Sequence, residues 1–177
     1  MTETLSQWQS FYLLMGTAAA TLIGLMFVVV TFGANSVTRE NAATVRAFID
    51  PPFNHFFVVL VVAALLLMPL KALTVPATVF MLLGLAQLVV WFRSLGQLKQ
   101  ASQNESLDAA DWFWYSLLPL TGHILLVGSA ILLLLSLNQA LIGLATAGLL
   151  LLAVGIQNAW DTVIWIALRE VRTSGKS

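Results

Sequence analysis

The chain has 177 residues, of which 59% are hydrophobic and only 9% charged; a soluble domain carries about 25% charged residues, so an ordinary soluble enzyme is excluded. Eight Lys and Arg offset eight Asp and Glu, leaving no basic excess to hold nucleic acid and no acidic excess to bind a basic partner. The absence of cysteine removes disulfides, thiolate metal sites, iron–sulfur clusters and Cys nucleophiles, and two histidines are too few for a three-His metal site.

No charged residue occurs from Thr4 to Thr38, Phe53 to Leu70, Ala72 to Phe92, or Trp112 to Trp160. About 20 apolar residues cross ~30 Å of hydrocarbon, so each of the first three runs fits one helix. The last run is 49 residues, ~73 Å at ~1.5 Å per residue, and must fold back on itself. Stretches such as ILLLLSL lack the in/out alternation of a β-barrel. The predicted fold is therefore an all-α integral membrane bundle of five helices in a single domain spanning 1–177.

Helix 1 is predicted over Phe11–Gly33. Its flank MTETLSQWQS carries no Lys or Arg, and the run is long enough to span, so it does not read as a cleaved signal peptide. Gly16, Ala20 and Gly24 recur every four residues, the pattern of a helix-packing or oligomer face, with Thr17 and Thr21 beside them. Between Ala34 and Pro52 the helical pattern is weak. Arg46 and Asp50 are spaced to pair there, and Pro51-Pro52 is expected to stop that segment and start helix 2.

Helix 2 is predicted over Phe53–Leu70 and helix 3 over Pro76–Phe92, with Gln87 as its mid-span polar residue and an interhelical hydrogen bond as that residue's expected role. The polar stretch Gly96–Ala110 reads as a mobile loop, with Asp108 and Asp111 able to cap helix 4. Helix 4 is predicted over Trp112–Leu137, where Pro119 frees the carbonyl of Tyr115. Asn138-Gln139 is the expected turn. Helix 5 runs from Ala140 to about Leu168, with small residues at Gly143, Ala147, Gly148 and Gly155, and a disordered tail RTSGKS.

Lys and Arg counts set the expected orientation. Arg39, Arg46, Arg93, Lys99, Arg169, Arg172 and Lys176 fall on one side and Lys71 on the other, 7 to 1 among the eight. The N-terminus is expected outside and the C-terminus in the cytoplasm. Trp8 and Tyr12 fit the outer interface; Trp91, Trp112, Trp114, Tyr115, Trp160 and Trp165 fit the inner one.

On that topology Asp50, Asn54, His55, His123, Asn158 and Asp161 gather toward the inner side, a possible ion or gate site. An ionisable group at membrane depth is costly and points to function or to pairing. Each residue also has a plainer reading: Asp161 as a cap or a partner of Arg46 or Arg93, His123 as a partner for loose backbone near Pro119, His55 as an interfacial residue. Two histidines can ligate a haem, but their expected depths differ. There is no HExxH, phosphate-binding Gly-rich loop or nucleophile elbow; no catalytic residue, metal or cofactor is expected.

The stretches GTAAATLIGLMFVVV, RAFIDPP and above all GIQNAWDTVIW resemble a family of bacterial multi-pass inner-membrane proteins without an established activity. The resemblance runs along most of the chain. It implies a bacterial inner-membrane location and singles out Asn158 and Asp161, but implies no activity.

Three functions fit these features: a homo-oligomeric channel or small-ion or solute pathway; a non-catalytic accessory or scaffold subunit bound to another membrane protein through Gly/Ala faces; and, least supported, a haem protein or other membrane enzyme. The lipid bilayer is the common partner, and nucleic acid is not one.

Overall fold

The computed structural model describes residues 2–33, 42–70, 72–104 and 112–174. Among these it is all-helical, without strands. The elements are α1 (Thr2–Gly33), α2 (Ala42–Leu67), α3 (Thr74–Asn104), a π-helical turn (Phe113–Leu117) running directly into α4 (Leu118–Leu134), and α5 (Gln139–Ser174). Among the described residues five helices are long and apolar enough to cross a membrane, over Thr4–Thr31, Asp50–Leu67, Thr74–Arg93, Phe113–Leu134 and Gln139–Ile164. The expected five-helix count is met, and the chain is a multi-pass membrane protein by length and composition.

The helices outrun the apolar segments, so three expectations are corrected. Pro51 and Pro52 lie inside α2 rather than ending a separate segment. Each lacks an N–H, which frees the carbonyls of Ala47 and Phe48. Those carbonyls lie just before the apolar span that starts at Asp50, where water can satisfy them. Gly96–Asn104 continues α3, because Gln97, Leu98, Lys99, Gln100 and Ala101 are good helix formers although the stretch as a whole is polar. Arg172–Ser174 likewise belong to α5. Asp108, Asp111, Lys71 and the end of the tail, 175–177, lie outside the described residues, as do the side chains of Arg46 and Trp165.

The reversal between α4 and α5 is a Schellman turn. Leu137 N–H donates to the Leu132 carbonyl and Ser136 N–H to the Leu133 carbonyl, both at 3.0 Å, with Ser136 at φ 58°. That is the left-handed position usually held by glycine. The turn thus occupies 135–138: it includes Asn138 of the expected Asn138-Gln139 pair, while Gln139 already begins α5.

α5 is the central helix; it packs against α4, α2 and α1, while α3 lies on α4. Three glycines explain the close approach. A Cβ on Gly143 would lie 2.1 Å from Ser129 Oγ of α4, one on Gly148 2.4 Å from Met15 Cε of α1, and one on Gly155 2.4 Å from Phe56 Cε1 of α2. Small residues are what membrane helices use to bring backbones together, since lipid offers no hydrophobic drive between them. Tyr12 is fully buried and donates its hydroxyl to the Leu141 carbonyl at 2.6 Å. It ties α1 to α5 rather than anchoring at the surface.

Large apolar side chains cover the outside, among them Leu14, Leu82, Phe92, Leu135 and Ile142. The exposed hydroxyls of Thr17, Thr21, Thr31, Thr78, Thr121 and Thr146 each donate to the carbonyl four residues back. The surface therefore asks for no polar partner at those positions, as a lipid-facing surface should not.

Candidate functional site

The bundle has two ends, one marked by Asp50, where α2 enters its apolar span and α5 leaves it, and one by Asn138, at the α4–α5 turn. Buried polar side chains are unevenly shared between them. His55, Ser116, His123, Asn158 and Thr162 are buried in the half toward Asp50, and Ser129 is buried in the other. Beyond the histidines toward Asn138 the interior is filled by Val59, Val62, Leu66, Leu126, Leu133, Leu141 and Leu144.

His55 of α2 and His123 of α4 meet inside the bundle, with ring centroids 5.6 Å apart and planes 35° apart. Both are buried, and the Nδ1 atom of each has no hydrogen-bond partner. The expected difference in their depths is corrected. The ring contact puts the two histidines at one level of the bundle, although His55 lies five residues past Asp50 and His123 ten past Phe113, where their apolar spans begin. α3 packs on α4 beside His123: a Cβ on Gly84 would lie 3.6 Å from the His123 carbonyl oxygen and 2.5 Å from Val127 Cγ2.

One turn along α3 from Gly84, Gln87 accepts a hydrogen bond at Oε1 from Asn54 Nδ2 at 3.1 Å. The interhelical role expected for Gln87 is observed. Asn54, His55, Gln87 and His123 thus form one polar layer across α2, α3 and α4. No pattern in the sequence pairs Gln87 with Asn54, because the contact depends on how α2 and α3 are aligned.

Asn158 is buried with its Oδ1 unpartnered. It follows Gly155 by three residues and so lies on the face of α5 that meets Phe56, the neighbour of His55. Its backbone carbonyl accepts from Thr162 Oγ1 at 2.8 Å. One turn further toward the Asp50 end is Asp161. The Tyr115 hydroxyl donates to its Oδ2, and Gln157 Nε2 donates to its Oδ1 at 3.4 Å. The bonds described for Asp161 are to Tyr115 and Gln157 and not to Arg93, while the side chain of Arg46 lies outside the described residues.

Tyr115 is presented by the π-helical turn, where the Leu118 N–H bonds to the Phe113 carbonyl five residues back. Pro119 follows and supplies no N–H to this turn. Trp91 Nε1–H of α3 donates to the Ser116 carbonyl at 3.0 Å. Trp91 therefore points at a backbone acceptor of the widened turn and is more than an interfacial anchor. Proline at 119 was the signal for this irregularity; the identity of the donor was not legible.

Two expected groupings differ in exposure among their members. Asp50 is exposed, whereas His55, His123 and Asn158 are buried. Gly16, Ala20 and Gly24 do not form one face: Gly16 is buried against Ala63 of α2, whose Cβ would be 2.9 Å from its own, whereas Ala20 and Gly24 are exposed and Gly24 has nothing within 4 Å. A helix turns 3.6 residues per turn, so a four-residue repeat drifts around it.

Chemically, the buried layer offers imidazole nitrogens and amide groups with unused hydrogen-bonding capacity. Among the described residues no group of three or more His, Cys, Asp or Glu is placed to hold a metal ion. No protein-family model matches the chain, and no curated protein or solved structure matches it.

Proposed function

We propose that the chain is a multi-pass protein of the bacterial inner membrane that carries a small ion or polar solute through the interior of its own bundle. The observation that supports this is the His55–His123 contact with both Nδ1 atoms unpartnered. Buried polar atoms without partners are unfavourable by about 1–3 kcal/mol each, and at membrane depth they mark ion or solute routes by default. The Lys and Arg count of 7 to 1 turns the polar half to the cytoplasm and the N-terminus outward. The apolar half around Leu126, Leu141 and Leu144 then serves as a gate that opens by wetting.

This reading moves the pathway from between subunits to within one chain. The polar atoms without partners lie inside the bundle, at His55, His123 and Asn158, whereas the outward hydroxyls of Thr17 and Thr21 donate to their own helix. The test is flux of H⁺, K⁺, Na⁺ and Cl⁻ into liposomes carrying the purified chain, beside a Leu144→Ser variant that wets the gate. Flux of any one above empty vesicles supports the pathway; none from either protein overturns it.

A second reading rests on the exposed Ala20 and Gly24 of α1, with open space at Gly24. A helix of another membrane protein fits closely there, which favours the accessory role. Native mass spectrometry separates the cases: a stoichiometric second protein favours the accessory subunit, and a closed ring of copies favours the homo-oligomer.

A further inference from the structure

We infer that the His55–His123 pair is a proton relay, reached from the Asp50 end past Asp161 and Asn158; this rests on the pathway proposed above and names its ion as the proton. Polar groups follow one another in that half in a definite order. Asp161, held by Tyr115 and Gln157, stands at the mouth. Asn158 is one turn deeper on the same helix, its Oδ1 buried and free. Gly155, a further turn in, packs on Phe56, and the adjacent His55 faces His123.

The donor set favours protons over metal cations. An alkali cation is held by several oxygens, yet the unpartnered atoms of this layer are the imidazole nitrogens of His55 and His123. A transition metal needs further ligands that the described residues do not supply. Imidazole has one nitrogen that carries a proton and one that accepts a proton. A proton arriving at the accepting nitrogen of one ring is matched by the proton leaving its other nitrogen. The second ring repeats the exchange, and each ring returns to its starting tautomer by proton shift or rotation. One proton enters, one leaves, and the pair is unchanged.

The other titratable side chains described do not compete for this role. Asp50 and Arg93 are exposed, Tyr12 is bonded to Leu141, and Tyr115 is bonded to Asp161. Ser129 lies six residues beyond His123 on α4, past the buried Leu126 in the chain, so the relay ends against the apolar half.

Two measurements on the full chain test the relay. The protein has two histidines, so isotope-labelled histidine in lipid nanodiscs yields NMR signals from these rings alone. Both ring protons are expected to exchange with water, and Asp161→Asn to slow that exchange; static rings that do not exchange overturn the relay even if the gate is closed. In liposomes, proton flux is read with an internal pH dye in wild type and in Leu144→Ser. His55→Gln and His123→Gln, placed in the conducting protein and checked for monodispersity, are expected to lose proton flux on the order of 100-fold, as for removal of a positioned acid–base group. Proton flux that survives both substitutions overturns the relay. K⁺, Na⁺ or Cl⁻ flux without proton flux overturns the relay but leaves the pathway standing, and no flux of any ion overturns both.

Discussion

The rings of His55 and His123 touch across two helices that the chain separates by 68 residues (123 − 55), at a centroid distance of 5.6 Å. Their contact makes each ring part of the other's environment. A single His→Phe change leaves the remaining buried ring beside an apolar one, whereas the double change leaves two apolar rings in contact. The double variant is therefore expected to be at least as stable as either single one, with a coupling of roughly 0.5–3 kcal/mol. Unfolding of all four proteins in the same detergent checks this; strict additivity would mean that the rings do not interact.

Asn54 and Gln87 pose the same question with a hydrogen bond of 3.1 Å. Gln87→Leu is expected to destabilise the protein by about 0.5–1.5 kcal/mol, since membrane hydrogen bonds contribute little net and the Asn54 amide is left over. Adding Asn54→Leu should recover most of the loss. A thermal-unfolding cycle decides it.

Gly155 and Gly148 sit on the same helix but face neighbours of different stiffness. An added Cβ at Gly155 meets the Phe56 ring, and at Gly148 the flexible end of Met15. Gly155→Ala is expected to destabilise by about 1–3 kcal/mol through overpacking, and Gly148→Ala to stay within ~1 kcal/mol because Met adjusts its shape. Equal effects on thermal unfolding would contradict the packing described.

Ser136 holds a left-handed conformation at φ 58°. Non-glycine residues are disfavoured there by roughly 1–2 kcal/mol. Ser136→Gly should relieve part of that, raising the unfolding temperature without altering flux. A lower unfolding temperature would argue against a left-handed residue at this turn.

The absence of cysteine makes single introduced thiols unambiguous reporters of orientation. Asn138→Cys is expected to react with an impermeant maleimide added outside intact inner-membrane spheroplasts, and Lys176→Cys only after lysis. The reverse pattern would invert the bundle and turn its polar half outward.

Composition and charge spacing were enough to determine the class of protein and the number of apolar helices, because the requirement for about 20 uncharged residues per crossing is local and additive along the chain. Helix ends were less legible. Gly96–Asn104 and Arg172–Ser174 are polar yet helical, since polarity measures which solvent a residue prefers and not which backbone it adopts. Candidate polar residues could be named from their depth, but their partners could not. That His55 meets His123, that Gln87 meets Asn54, that Tyr115 meets Asp161 and that Gly16 is buried while Gly24 is open all depend on the rotation and register of helices against one another. Those are set by many small packing contacts, chiefly the approach of α5 to its neighbours through Gly143, Gly148 and Gly155, and no single stretch of sequence carries that information.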